Sequence, residues 1–137
     1  MMKENIIPFT GLIGFLSYFS IAVLLLVLFS ALYAKVTPYR EFTLIAKGNL
    51  AAAYSFGGSL FGFAIPLASV IAHSVSIPDM VIWGIIAMLV QLLTFIIVKI
   101  IFPSIVSDIP ANEVGKGVFL GAVSIVIGIL NAACITY

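Results

Sequence analysis

The sequence predicts an all-α integral membrane protein whose four transmembrane helices form two tandem two-helix repeats. Three observations support this prediction. The 137 residues are 64% apolar and only 8% charged, whereas a typical soluble domain carries roughly 25% charged residues. The charged residues leave four long uncharged stretches, and small residues recur at matching places in the second and fourth. The composition therefore excludes an ordinary soluble domain.

Each uncharged stretch is long enough for one membrane crossing. The stretches cover residues 5–34, 48–78, 80–98 and 117–137. A bilayer core of about 30 Å needs about 20 apolar residues at about 1.5 Å each, so none of the stretches holds two crossings. Their apolar residues do not alternate with polar ones, which favours helices over barrel strands. We place the spans near residues 11–34, 50–72, 79–101 and 114–135.

The basic residues predict the orientation of these spans. Short loops rich in Lys and Arg stay in the cytoplasm, and Lys3 alone lies on the opposite side from the other five basic residues. Those five are Lys35, Arg40, Lys47, Lys99 and Lys116. We therefore expect both termini outside the cytoplasm. The first span follows Lys3 as a signal peptide would, but its length and the neighbouring Glu4 indicate that it remains attached.

The two halves of the chain resemble each other. A shift of about 64 residues lays residues 49–73 over residues 113–137 and places small residues opposite small residues. The chain thus reads as a single transmembrane domain, residues 1–137, with repeat one at about 11–73 and repeat two at about 79–137. Halves of two helices each share one orientation, so a pseudo-two-fold axis along the membrane normal would relate them.

Small residues spaced four apart predict that the second and fourth helices pack together. Helices associate in bilayers by close van der Waals contact, which small residues allow. The candidate helix-packing residues are Gly57, Gly58, Gly62, Gly117, Gly121 and Gly128. The first and third helices are rich in Leu, Ile and Val, so we expect them to face the lipid bilayer or another subunit of a homo-oligomer.

The loops contain candidate helix caps. Thr37 is expected to cap a short helix that has Glu41 in its first turn and Gly48 at its end. This segment mixes aromatic, aliphatic and charged residues, as an interfacial helix on the headgroups would. Asn49 is expected to start the second transmembrane helix and Asn112 to cap the fourth.

The sequence offers no candidate catalytic, cofactor-binding or metal-binding residues. His73 and Cys134 are the single residues of their types, and there is no nucleophile elbow, phosphate loop or carboxylate pair. Every ionisable residue is predicted to lie at an interface or in a loop, whereas functional charges in membranes usually lie deeper. A net charge of +1 without a basic stripe excludes nucleic acid as a partner. We do not expect an enzyme.

Three residues within the predicted spans interrupt their apolar character. Pro66 removes a backbone donor and is a candidate helix kink. Gln91 and Asn131 are the candidate intramembrane polar residues. We expect their amides to bond to neighbouring helices as structural fasteners, each contributing on the order of 0.6 kcal/mol. The alternative is that they line a narrow polar path for water or a small solute.

Several short motifs agree in order and spacing with a known family. The chain from about Gly14 onward resembles the YjfL-like family of small bacterial inner-membrane proteins, which contain a duplicated domain of unknown function. The motifs are SYF at 17–19, KVTP at 35–38, AIPLAS at 64–69, VSIPD at 75–79, QLL at 91–93 and NAAC at 131–134. The resemblance implies a bacterial inner (plasma) membrane location and two tandem repeats, but no site residues. Neighbouring genes in such families encode relatives of phage-shock proteins and glutathionylspermidine synthetases, which implies envelope maintenance.

The family resemblance and the absence of chemical motifs together favour a non-enzymatic scaffold or partner-binding subunit with a cytoplasmic or membrane protein partner. The alternative is an oligomeric channel or conduit for a small solute or ion. Four helices enclose little room, so a conduit would require several copies of the chain.

Overall fold

The computed structural model describes residues 8–135, and all regular secondary structure in that range is helical. Four of its helices are long and apolar enough to cross a bilayer. The predicted all-α fold with four transmembrane helices is therefore confirmed, and the predicted spans agree with the helices to within two residues. The helices are α1 (Phe9–Val36), α2 (Glu41–Ala46), α3 (Leu50–His73), α4 (Ile77–Ile101), α5 (Ile105–Asp108) and α6 (Val114–Cys134).

Helix α3 occupies the centre of the bundle, where it packs against α1, α2, α4 and α6. Helix α1 contributes one narrow stripe to the core, formed by Ala22, Leu25, Phe29 and Tyr33. These residues recur every three or four positions, the spacing of one helix face. The ring of Phe29 stacks on Phe63 of α3 at a centroid distance of 4.7 Å. Most of α1 outside this stripe is exposed and apolar, as suits a helix surrounded by lipid.

The connection between α1 and α3 differs from the prediction at its start. Thr37 does not cap α2, which begins at Glu41; instead Thr37 ends α1, and its hydroxyl donates to the Tyr33 carbonyl at 3.2 Å. The reason is Pro38, since a residue before proline is held in an extended conformation, and Thr37 has ψ 137°. The predicted interfacial helix is thereby shortened to six residues.

The end of α2 confirms the predicted role of Gly48. Its φ of 84° lies in the left-handed region, where glycine carries no Cβ penalty. The backbone N–H of Gly48 donates to the Ile45 carbonyl and that of Asn49 to the Leu44 carbonyl, each at 2.9 Å, which is a Schellman motif. The predicted start of α3 is confirmed too, because the Asn49 side chain accepts from the Ala52 N–H at 2.8 Å.

Asn112 caps a different helix from the one predicted. The residue that precedes α6 is Glu113, and the Asn112 side chain instead accepts from the Ala51 N–H of α3 at 3.1 Å. Asn112 has a left-handed φ of 63°, a backbone conformation that Asn adopts more readily than most other residues. In return, the Asn49 amide donates to the Ile109 carbonyl at 3.0 Å. The two long loops are therefore joined to each other at one end of the bundle.

Candidate functional site

Helices α3 and α6 approach so closely that their backbones touch along a seam of small residues. A Cβ atom added to Gly58 would overlap the backbone of Gly121, and one added to Gly117 would overlap the backbone of Ala51. Backbone cannot move aside as a flexible side chain can. A Cβ atom added to Gly121 would overlap the Tyr54 carbonyl oxygen, so Gly58, Gly117 and Gly121 each require the absence of a side chain.

The same seam continues toward the other end of the bundle. A Cβ atom on Gly62 would overlap the carbonyl oxygen of Ser124, and one on Gly128 would overlap the carbonyl oxygen of Gly62. Pro66 lies buried within α3, one turn after Gly62, whose carbonyl thereby loses its usual donor. The predicted kink at Pro66 stays a prediction, since α3 runs without interruption from Leu50 to His73.

Gly57 differs from the other five glycines. A Cβ atom added there would meet nothing within 4 Å, so Gly57 does not belong to the contact between α3 and α6. Adjacent residues of an α-helix point about 100° apart, and Gly58 occupies the direction that faces α6. Gly57 instead lines a shallow apolar groove on the bundle surface beside Tyr54 and Ala122.

The buried amides of Gln91 and Asn131 connect α4 to α6. The Gln91 Nε2 donates to the Ser124 carbonyl at 3.0 Å, and the Asn131 Nδ2 donates to the Ala87 carbonyl at 3.2 Å. A longer bond of 3.4 Å joins the Asn131 Nδ2 to the Gln91 Oε1. Both side chains thus bond to the backbone of a neighbouring helix.

A second polar cluster, which the sequence did not predict, lies at the end of the bundle near the two joined loops. We call it the Glu41 pocket, and it comprises Tyr33, Thr37, Tyr39, Glu41, Ser55 and Ser59. Glu41 is only 1% exposed, although it begins the short helix α2 in the connection between α1 and α3. The side chains of Tyr33 and Tyr39 are 1% and 7% exposed. These three large polar side chains are therefore buried together.

The Glu41 pocket contains polar atoms without hydrogen-bond partners. Within residues 8–135, such buried side-chain atoms are the phenolic oxygens of Tyr33 and Tyr39 and both carboxylate oxygens of Glu41. Buried polar atoms almost always have partners in folded proteins. All the buried side-chain atoms without partners in the described chain thus belong to the Glu41 pocket.

Aromatic packing holds the two tyrosines in position. The ring of Tyr33 lies 5.7 Å from that of Phe56 on α3 and 5.7 Å from that of Phe95 on α4. Tyr39 packs edge-on against the same Phe95 at 6.4 Å. The hydroxyl of Ser59 lies near the phenol of Tyr33 and that of Ser55 near the phenol of Tyr39, but neither pair has hydrogen-bond geometry. The pocket is consequently lined by oxygen atoms and aromatic rings.

The electrostatic environment favours the neutral form of Glu41. Burial raises the pKa of its carboxyl group above the ordinary value, and the neighbouring Thr37 hydroxyl opposes this effect only in part. Burial also raises the pKa of Tyr39, with a further contribution from Tyr33 and Glu41. No basic side chain compensates, since the salt bridge found among residues 8–135 joins Lys116 to Asp108.

Hydroxyl contacts connect the Glu41 pocket to the buried amides. The Ser59 Oγ lies 3.3 Å from the Ser124 Oγ of α6, and the Ser124 carbonyl accepts from Gln91. Gln91 in turn contacts Asn131. We call this sequence of side chains the polar column; it runs from the pocket along α3, α6 and α4.

The sequence contained a partial signal for the pocket. Ser55 and Ser59 are four residues apart, so they share one helix face, and they lie among the small residues of α3. Glu41 gave no such signal, because it stands beside Arg40 and near Lys47, as a solvated surface carboxylate would. Its burial depends on how α2 docks against α3.

Comparison with known proteins agrees with this architecture. The sequence profile of the family described as Domain of Unknown Function (DUF350) matches residues 6–135. The chain belongs to the DUF350 family. This DUF350 chain is 40% identical over 127 residues to the UPF0719 inner membrane protein YjfL of Escherichia coli (strain K12), covering 93% of this chain and 96% of the relative. The resemblance to the YjfL-like family is therefore confirmed.

A more distant relative comes from a different bacterial group. The DUF350 chain is 32% identical over 118 residues to the UPF0719 transmembrane protein YshE of Bacillus subtilis (strain 168), covering 86% of this chain and 87% of that protein. No solved structure matches. None of these descriptions names an activity or a site residue, and within the described residues no three His, Cys, Asp or Glu side chains form a metal-binding group.

Proposed function

We propose that this DUF350 member is a non-enzymatic scaffold of the bacterial inner membrane that self-associates and presents its joined loops to a protein partner. The interhelical bonds of Gln91 and Asn131 are the observation that best supports this proposal. Amides bound to the backbone of neighbouring helices stabilise a fixed arrangement rather than lining an open passage. A rigid bundle is what a scaffold requires.

Two further features support the scaffold. The seam between α3 and α6 fixes their relative position, because their backbones are in contact. The joined loops form a continuous surface at one end of the bundle, and a cytoplasmic or membrane protein would bind there. A role in envelope maintenance would accord with such a subunit, and the inner membrane location is that stated for YjfL.

The proposal includes an orientation and an internal repeat. Both termini would lie outside the cytoplasm, since the five basic residues near the long loops favour the cytoplasmic side. The element order of a long, a short and a long helix occurs in each half, which supports repeats at about 11–73 and 79–137. A reporter fused to the C-terminus that is active only in the cytoplasm should stay inactive; activity would contradict this orientation.

A conduit for a small solute or ion, formed by an oligomer, is the second candidate function. The polar column favours it, because the polar side chains of three helices follow one another through an apolar bundle. In this case Gln91 would contact the solute and not merely fasten helices.

Gln91→Leu distinguishes the two candidates. For a scaffold we expect a less stable helix bundle, because the bond to the Ser124 carbonyl is lost, and unchanged solute flux in liposomes. Lost flux with intact assembly would contradict the scaffold and support the conduit. Thr94→Val is the matched control on the same helix, because the Thr94 hydroxyl bonds within α4, to the Val90 carbonyl at 3.0 Å.

A further inference from the structure

We propose that the Glu41 pocket binds one monovalent positive charge, either a proton or a small metal cation such as Na⁺. This inference goes beyond the scaffold and does not depend on it. It starts from the three buried side chains of Glu41, Tyr33 and Tyr39, whose four oxygen atoms lack partners within residues 8–135. A metal cation could be coordinated by several of these oxygens, and a proton on Glu41 would give the carboxyl group a hydrogen to donate to one of them.

The chemistry of the donor atoms selects the class of ligand. The pocket presents carboxylate, phenol and aliphatic hydroxyl oxygens from Glu41, Tyr39 and Ser55, together with Tyr33, Thr37 and Ser59. Oxygen ligands suit hard cations rather than the softer metals that bind Cys and His. A single carboxylate supplies one negative charge, which one proton or one monovalent cation neutralises. Divalent cations usually require more carboxylates, and an anion would be repelled.

No basic side chain among the described residues forms an ion pair with Glu41, and Arg40, beside it in the chain, is exposed. Of the elements packed around Glu41, α1 contributes Tyr33 and the following segment contributes Thr37 and Tyr39. The residues of α3 and α4 that lie next to Tyr33 and Tyr39 are Ser55, Ser59, Phe56 and Phe95, none of which ionises. Within the described chain, Tyr33 and Tyr39 are therefore the titratable groups that face the carboxyl group, and both are neutral at physiological pH. A basic residue does not occupy the position that the cation would take.

The location of the pocket gives the bound charge a structural consequence. Glu41 is the first residue of α2, and α2 packs against α3. A neutralised Glu41 is compatible with this docked position, whereas a bare carboxylate is strongly disfavoured in an apolar interior. Loss of the proton or cation would therefore drive Glu41 toward water and move α2 with it. The pocket would couple the ionic conditions to the shape of the loop surface.

Infrared spectroscopy of the full chain in lipid nanodiscs tests the proposal. In choline chloride at neutral pH we expect the carbonyl stretch of a protonated carboxyl group, present in the wild type and in the exposed-residue control Glu113→Gln, and absent in Glu41→Gln. If the ligand is a proton, the band disappears as the pH rises, whatever the salt. If the ligand is a metal cation, NaCl removes the band at fixed pH and choline chloride does not.

Tyr39→Phe provides a second measurement that leaves the carboxyl group in place. We expect it to change the proton concentration at the titration midpoint, or the Na⁺ concentration that removes half of the band, by roughly two- to tenfold, as the change of one hydrogen bond would. Tyr54→Phe, at a half-exposed tyrosine of α3, should leave both values unchanged. A wild-type band that disappears near the ordinary glutamate pKa in every salt would overturn the proposal, as would equal behaviour of the two tyrosine variants.

Discussion

Gly58 of α3 lies directly against the backbone of Gly121 of α6, in a contact that leaves no room for a Cβ atom. The adjacent Gly57 faces open space. Two neighbouring glycines of one helix therefore have opposite requirements, and this difference makes the helix seam testable.

Gly58→Ala should destabilise the bundle, because the new methyl group would overlap the backbone of Gly121 and force α3 and α6 apart. Overpacking of this kind costs about 1–3 kcal/mol. Gly57→Ala is the matched control and should be neutral or slightly stabilising, since alanine is favoured over glycine in a helix by roughly 0.5–1 kcal/mol. Denaturant titration in detergent micelles measures both variants, and equal effects would contradict the proposed seam.

Asn131→Leu should weaken the attachment of α6 to α4, because it removes the bond to the Ala87 carbonyl and the longer contact with Gln91. Interhelical bonds in membranes average about 0.6 kcal/mol and reach about 1.7 kcal/mol. We expect a loss of stability within that range. Ser17→Ala provides a control, because the Ser17 hydroxyl bonds within α1 to the Ile13 carbonyl. Should Ser17→Ala destabilise the protein as much, the fastening role of Asn131 would be excluded.

Asn112→Ala should destabilise the start of α3 although Asn112 lies more than 60 residues later in the chain, because the Ala51 N–H would lose its acceptor. Loss of a cap costs about 1 kcal/mol, and alanine adds the cost of a left-handed φ. Asn112→Gly removes the cap without the backbone penalty, so we expect a smaller effect. Hydrogen exchange at the first turn of α3 should report the local change, and unaltered exchange in both variants would refute this cap.

The stability of the protein should depend on pH through Glu41. Its pKa is raised in the folded state by burial, so its contribution to stability is fully present below the unfolded-state pKa. That contribution is lost as the pH rises through the raised folded-state pKa. In sodium-free choline chloride we therefore expect the free energy of unfolding to fall over this pH range. Glu41→Gln should remove the fall, and an identical pH dependence in the variant would contradict the assignment.

Most of the helical architecture could be predicted because it depends on local properties of the sequence. The distribution of charge determined the four spans, and Gly48 and Asn49 could be placed because a left-handed turn and a helix cap involve residues close together in the chain. Asn112 could not be assigned correctly, since the N–H that it accepts belongs to the other half of the chain. Such a partner is not visible in local sequence.

The Glu41 pocket was missed for a related reason. A carboxylate beside Arg40 has the sequence environment of a surface residue, and its burial depends on the docking of α2 against α3. Gly57 shows a similar limit of prediction from local sequence within a single helix. A spacing of four residues identified small pairs, but only the rotation of α3 about its axis decides that Gly58 faces α6 and Gly57 does not.

The seam between α3 and α6 also constrains how the protein is made. Helix α6 is the last of the described helices to leave the ribosome, so the glycine face of α3 has no helix against it until α6 has been synthesised. Until then the Ser59 hydroxyl lacks its contact with the Ser124 hydroxyl of α6. A chain interrupted before α6 would leave the glycine face of α3 exposed within the bilayer.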